Sequence, residues 1–289
     1  MNIRIIPRLD IKGPNLVKGI HLEGLRVLGK PEAFARYYYE GGADELIYMD
    51  VVASLYGRNS LHDIVERTSS EVFIPLCVGG GLRTVEDIRM VLRAGADKVS
   101  LNTAAINRPE LITEAARRFG SSTILVSIEA TRMPDGRYEA FTDNGREHTG
   151  VDAFEWAVRA VELGAGEIMV TSIDKEGTGK GFDIELISRI AGSVDVPVIA
   201  SGGAGGPEDV LAAVEQGNAQ AVALASILHY GALDNAQATG DFSVEGNTTF
   251  LSSGKPSGSR VTPATIADVK RHLIDHGIEC RPAEEAADV

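Results

Sequence analysis

The sequence predicts an α/β chain folded as a single (β/α)8 TIM barrel of two half-barrel repeats. Three observations predict it. Short apolar runs rich in Val and Ile alternate eight times with helix-like stretches. The 289 residues suit a barrel, which typically takes about 250. Blocks of sequence also recur at a fixed spacing. Runs that are apolar throughout, rather than alternating, belong to parallel strands covered on both faces. A doubly wound open sheet would carry GxGxxG after its first strand, and none follows RIIPRLD.

The elements follow in order. Strands are expected over residues 4–9, 45–50, 74–78, 98–101, 123–128, 167–171, 196–200 and 221–224. Helices are expected over 31–41, 60–69, 84–94, 109–119, 152–163, 183–191, 207–216 and 265–276. Thr84 before Glu86 and Asp87, and Pro207 before Glu208 and Asp209, mark helix starts. Residues 232–259, between the eighth strand and the last helix, are rich in Gly, Ser, Asn and Thr and lack a period. Such a stretch is either a lid or a mobile, solvated insert, and here it emerges on the catalytic face.

The repeat is internal. GADELIYMD from Gly42 resembles GAGEIMVTS from Gly164, and IPLCVGGG from Ile74 resembles VPVIASGG from Val196, both 122 positions apart. LDIK at the end of the first strand aligns with SIEA, residues 127–130, at an offset near 119. The halves are about 1–121 and 122–289 of one domain, and paired sites on one rim should follow.

Composition excludes several functions. Lys and Arg number 28 against 41 Asp and Glu, a net charge of −13, which suits no phosphate-backbone binder. No run is long enough to span a bilayer, and no signal peptide is expected. A cytoplasmic protein without nucleic-acid or membrane partners is the expectation. Cys77 and Cys280 supply neither a disulfide framework nor a thiolate zinc site. The six histidines are scattered, so neither a metal nor a cofactor is expected.

The chemistry-bearing residues follow the strands. Gly79, Gly80 and Gly81 follow the third strand; Gly202, Gly203 and Gly205 follow the seventh. Bare backbone at such a turn lets N–H groups approach an anion. Asn102 and Thr103 follow the fourth strand, Ala225 and Ser226 the eighth. Each glycine loop thus has a hydroxyl-bearing neighbour, and two phosphate cradles are inferred for a bis-phosphorylated small molecule. Asp10 and Glu129 end the first and fifth strands, paired carboxylates placed for general acid–base work. Asp50, Asp174 and Glu176 add acids at the ends of strands two and six. Lys18 is expected to reach a phosphate or a developing negative charge from a mobile loop.

The segments IIPRLDIKGPNLVKG, DELIYMDVVAS, VGGGLRTVEDI, GADKVSLNTAA, TSIDKEGTGKGFD and ASGGAG together resemble the cyclase subunit family of imidazole glycerol phosphate synthase. The resemblance spans the chain apart from the insert. It implies a lyase/cyclase of histidine biosynthesis in a heterodimer with a glutaminase subunit. Ammonia from that partner would split a bis-phosphorylated ribulosyl aminoimidazole carboxamide intermediate into imidazole glycerol phosphate and aminoimidazole carboxamide ribotide. It implies catalytic roles for Asp10 and Lys18. Gly81, Asn102 and Thr103 would hold one phosphate, and Gly177, Gly203, Ala225 and Ser226 the other. Arg4, Glu45, Lys98 and Glu167 would form an ammonia gate, and Asp97 would lie at the partner interface.

Three departures stand out. Glu129 and Glu176 replace Asp, and Arg8 replaces a small residue beside Asp10, where it is expected to lower the pKa of Asp10 or Glu129. With the insert, they leave two other readings open. One is an ammonia-channelling barrel of a sugar amidotransferase in surface-polysaccharide synthesis; the other is a non-catalytic scaffold for a phosphorylated ligand.

Overall fold

The computed structural model describes residues 2–53, 61–234 and 260–283. In chain order the strands are β1 (Arg4–Lys12), β2 (Asn15–Ile20), β3 (Glu23–Gly29), β4 (Leu46–Asp50), β5 (Leu76–Gly79), β6 (Lys98–Leu101), β7 (Ile124–Arg132), β8 (Tyr138–Thr142), β9 (Glu147–Asp152), β10 (Glu167–Ser172), β11 (Val198–Ser201) and β12 (Ala221–Leu224). The helices are α1 (Pro31–Glu40), α2 (His62–Ser69), α3 (Val85–Arg93), α4 (Thr103–Asn107), α5 (Glu110–Phe119), α6 (Ala153–Glu162), α7 (Ile184–Ala191), α8 (Pro207–Glu215), α9 (Ser226–Asp234) and α10 (Ile266–Asp275).

Eight parallel strands close on themselves in the order β1, β4, β5, β6, β7, β10, β11, β12, with β12 pairing β1 again. This is the expected (β/α)8 barrel. Both strand faces are apolar because each meets a different core. Ile5, Tyr48, Val78 and Ile168 pack outward with helix residues such as Phe34, Leu111 and Leu273. Ile6, Ile47, Cys77, Leu125, Met169 and Ile199 fill the interior.

Local chemistry sets the helix starts. Thr84 accepts from the Asp87 N–H at 3.1 Å while Asp87 accepts from the Thr84 N–H at 2.9 Å, a reciprocal cap. Thr265 and Asp268 repeat it on α10. Asp152 and Asp183 cap α6 and α7, and Pro31 and Pro207 open α1 and α8, where a missing N–H costs nothing.

Two hairpins depart from the expected pattern. β2 and β3 form an antiparallel hairpin on the extended end of β1, and β8 and β9 form one on β7. Their sequences, such as NLVKGI and EHTGVD, are short and lack a sustained apolar run, and they become strands by pairing with barrel strands that run past the rim. Leu22 of the first hairpin packs with Phe141 of the second and Ile173, so the hairpins meet over the mouth. Residues 232–234, assigned from sequence to the insert, instead end α9; the remainder, 235–259, lies outside the described residues. Among the described residues no helix is long and apolar enough to cross a membrane.

Candidate active site

The repeat survives in three dimensions. Asp10 lies opposite Met49 on β4, and Glu129 opposite Thr171 on β10, equivalent positions in the two halves. On their other sides both acids pair with the hairpins, at Val17 and Phe141. Both carboxylates are buried, at 5% and 3% exposure.

Two cavities open beside them. The first, about 240 Å³, is lined by Gly80, Gly81, Asn102, Thr103, Asp50 and Glu129, with Ser100 and Asn144. The second, about 30 Å³, is lined by Glu176, Gly177, Gly202, Gly203, Ala225 and Ser226, with Arg8, Asp10 and Ser201. The glycines are required by shape. A Cβ on Gly80, at φ +94°, would stand 2.2 Å from the Asp50 carbonyl oxygen; on Gly203, at φ +118°, it would stand 2.2 Å from that of Gly181. Both lie in the left-handed region that other residues rarely adopt. Ser226 opens α9, whose first-turn N–H groups have no carbonyl within the helix to bind.

Asp174 departs from expectation. It is exposed, lines neither cavity and accepts from the Arg132 N–H at 2.9 Å, a loop-fixing bond. Lys18 is not on a mobile loop either. It is a buried residue of β2 that donates to Gly19 O at 2.8 Å and to the Glu176 carboxylate. Glu176 also accepts from the Leu22 N–H at 2.9 Å, latching the first hairpin to the loop after β10.

Arg8 points inward. Its Nε donates to Asp10 Oδ1 at 2.9 Å and its Nη1 to Thr171 Oγ1 at 3.2 Å. Asn102 Nδ2 donates to Glu129 at 3.2 Å. Burial pushes the Glu129 carboxyl up to about 7, and nearby Asp10 adds to the rise, against the opposing pull of Arg8. Arg8 does pull Glu129 down, as expected, but desolvation outweighs that pull from a guanidinium whose direct bond goes to Asp10.

At the other end of the barrel the four residues expected to form a gate converge. Arg4 bonds Glu45 at 2.8 Å and Glu167 at 2.7 Å; Lys98 bonds Glu45 at 3.1 Å and Glu167 at 2.8 Å. Burial raises the Glu45 carboxyl, while Glu45 and Glu167 together hold Lys98 raised despite its own burial. Asp97 is exposed at this end and accepts from the Leu76 N–H at 2.9 Å. Between ring and mouth the interior is the apolar cluster of Ile6, Ile47, Cys77, Leu125, Met169 and Ile199.

Sequence reasoning missed Ser201, Thr171, Asn144 and His229. Ser201 had a signal, standing directly before Gly202; the others had none. His229 is fully buried, bonds the Tyr38 hydroxyl at 2.6 Å and is lowered to about 3, mainly by burial and then by Lys18. His62 joins Asp63 and Glu66 in one exposed group on α2 with three metal-capable ligand atoms, and none of the three lines either cavity.

Comparison with known proteins bears on this geometry. A family model described as histidine biosynthesis protein matches residues 4–234. Imidazole glycerol phosphate synthase subunit HisF of Legionella pneumophila is 61% identical over 208 residues, covering 72% of this chain and 98% of that protein. The chain belongs to this family. The HisF subunit of Alkaliphilus metalliredigens strain QYMF is 48% identical over 227 residues, 78% of this chain and 90% of that protein. Both relatives are named as subunits of a synthase. In this HisF-family chain the matched span holds every residue of the two cavities and the charged ring.

Proposed function

We propose that the chain is the ammonia-using cyclase subunit of an imidazole glycerol phosphate synthase in histidine biosynthesis. The observation that carries this reading is a mouth with two glycine-lined cavities, each with buried carboxylates in its wall, in a chain of the HisF family. A substrate phosphate would sit in each cavity, with the reacting carbons between Asp10 and Glu129. Addition of ammonia to a carbonyl carbon needs a proton delivered to oxygen and another removed from nitrogen. Glu129, at about 7, can donate near neutrality, and Asp10, ion-paired with Arg8, can accept. Lys18, engaged with Glu176, becomes available to substrate when that pair opens.

A glutaminase would dock at the opposite face, where Arg4, Glu45, Lys98 and Glu167 close the barrel. The test is steady-state turnover of the bis-phosphorylated ribulosyl intermediate, driven by ammonium salt or by glutamine plus a glutaminase. K98M should alter the glutamine-driven rate several-fold and leave the ammonium-driven rate within about two-fold, because free ammonia enters at the mouth. No turnover with either ammonia source would end this reading.

A second reading rests on Arg8, whose guanidinium binds the acid that must act. In it the barrel carries ammonia to a sugar amidotransferase. It expects glutaminase stimulation without cyclase turnover.

A further inference from the structure

We propose that Arg8 is a substrate-binding residue of the second cavity: fixed through Nε to Asp10, it presents its remaining donors to a phosphate-type dianion held by Gly202, Gly203 and Ser226. This rests on the reading of that cavity as a phosphate cradle and adds a residue and a charge that the glycine pattern does not supply.

Position is the first argument. Arg8 lines the second cavity and not the first. Its counterpart in the other half is Ser127, since Arg8 lies opposite Ile47 and Ser127 opposite Met169. The guanidinium therefore serves one cradle only.

Its donors are the second. A guanidinium has five N–H groups. Nε is well used by Asp10, whereas Nη1 reaches Thr171 Oγ1 at 3.2 Å and Ser201 Oγ at 3.5 Å. Nη2 has no partner among the described residues, although Arg8 is only 3% exposed. A buried, charged donor without an acceptor is costly, and an incoming anion removes that cost. The planar fork also suits phosphate oxygens better than a point charge does.

Charge is the third. The cavity wall carries two carboxylates, Asp10 and Glu176, which alone would repel a dianion. Arg8 offsets the first and Lys18 the second. Substrates with a charged second end should thereby be favoured over neutral analogues.

The test uses inorganic phosphate on the full chain, followed by backbone amide NMR. Gly203 and Ser226 report the second cradle, Gly81 and Thr103 the first. R8Q should weaken phosphate at the second cradle by about 10- to 100-fold, the range expected for a charged hydrogen bond. The first cradle should change by less than about two-fold, and R8K should fall between parent and R8Q. The double variant R8Q/D10N, which leaves no orphaned carboxylate, carries the same test if R8Q alone does not fold. Unchanged phosphate affinity at Gly203 and Ser226, or equal weakening at both cradles, overturns the proposal. An Arg8-dependent phosphate site without cyclase turnover removes the proposed reaction and leaves this inference standing. Turnover with an Arg8-independent second site does the reverse.

Discussion

The two cavities derive from one repeated unit and differ in what closes them. The first is open, about 240 Å³, with Glu129 and Asn102 at its wall; the second is about 30 Å³ and crowded by Arg8 and Glu176. Each cavity also takes its acid from the opposite half. Glu129 on β7 serves the glycine loop of the first half because β7 pairs β6, and Asp10 on β1 serves that of the second because β1 pairs β12. The repeat places a glycine loop at equivalent positions in each half, and barrel closure gives each loop a different neighbouring strand.

The largest expected difference between the halves is catalytic. D10N and E129Q should each lower ammonium-driven turnover by about 10²- to 10⁴-fold, the usual worth of a general acid or base. They should part in pH dependence. The parent profile should bend near pH 7, where Glu129 loses its proton; E129Q should lose that limb, and D10N should keep it. Persistence of the limb in E129Q would assign the proton elsewhere. Stability gives a second check on the same group. Because the folded carboxyl sits above its ordinary value of 4.5, the native state holds the proton more tightly, and stability falls as pH rises from about 4.5 through about 7. E129Q should gain on the parent across that window in urea unfolding.

Backbone strain should come next. G80A and G203A each force a side chain into a left-handed conformation against a carbonyl oxygen at 2.2 Å, so each should cost about 1–3 kcal/mol or more. Thermal unfolding should show similar losses, and each variant should lose phosphate at its own cradle only. Markedly unequal losses would mean that one cradle tolerates rearrangement.

The smallest effect belongs to the counterpart of Arg8. Ser127 is fully buried with its Oγ unpartnered among the described residues. S127A should leave stability unchanged or raise it by up to about 1 kcal/mol, since it removes a buried hydroxyl that has no partner to lose. A clear loss in denaturant unfolding would reveal an acceptor or water bound there, and with it a hidden symmetry between the halves.

Much of the site could be read from the chain because its residues sit at strand ends, where spacing fixes which rim they reach. Gly80, Gly203, Asp10 and Glu129 were legible that way. Lys18 and Asp174 were not: Lys18 belongs to a strand that exists only through pairing with β1, and Asp174 turned to bind the Arg132 backbone. Arg8 was legible as a departure, but its choice of Asp10 over Glu129 depends on a distance that no spacing encodes.

The sequence by itself determined the eight-unit barrel, the duplication, the glycine cradles and the residues of the charged ring. The first three follow from apolar periodicity, turn chemistry and a repeat, all local or translational properties, whereas the ring was implied only by the family resemblance of the motifs. Only the tertiary structure decided which acid faces which cradle, how the hairpins roof the mouth, and why Glu129 keeps its proton to about 7 beside an arginine. Those depend on burial and on contacts between residues far apart in the chain, where desolvation and one favoured hydrogen bond outweigh what residue type alone would suggest.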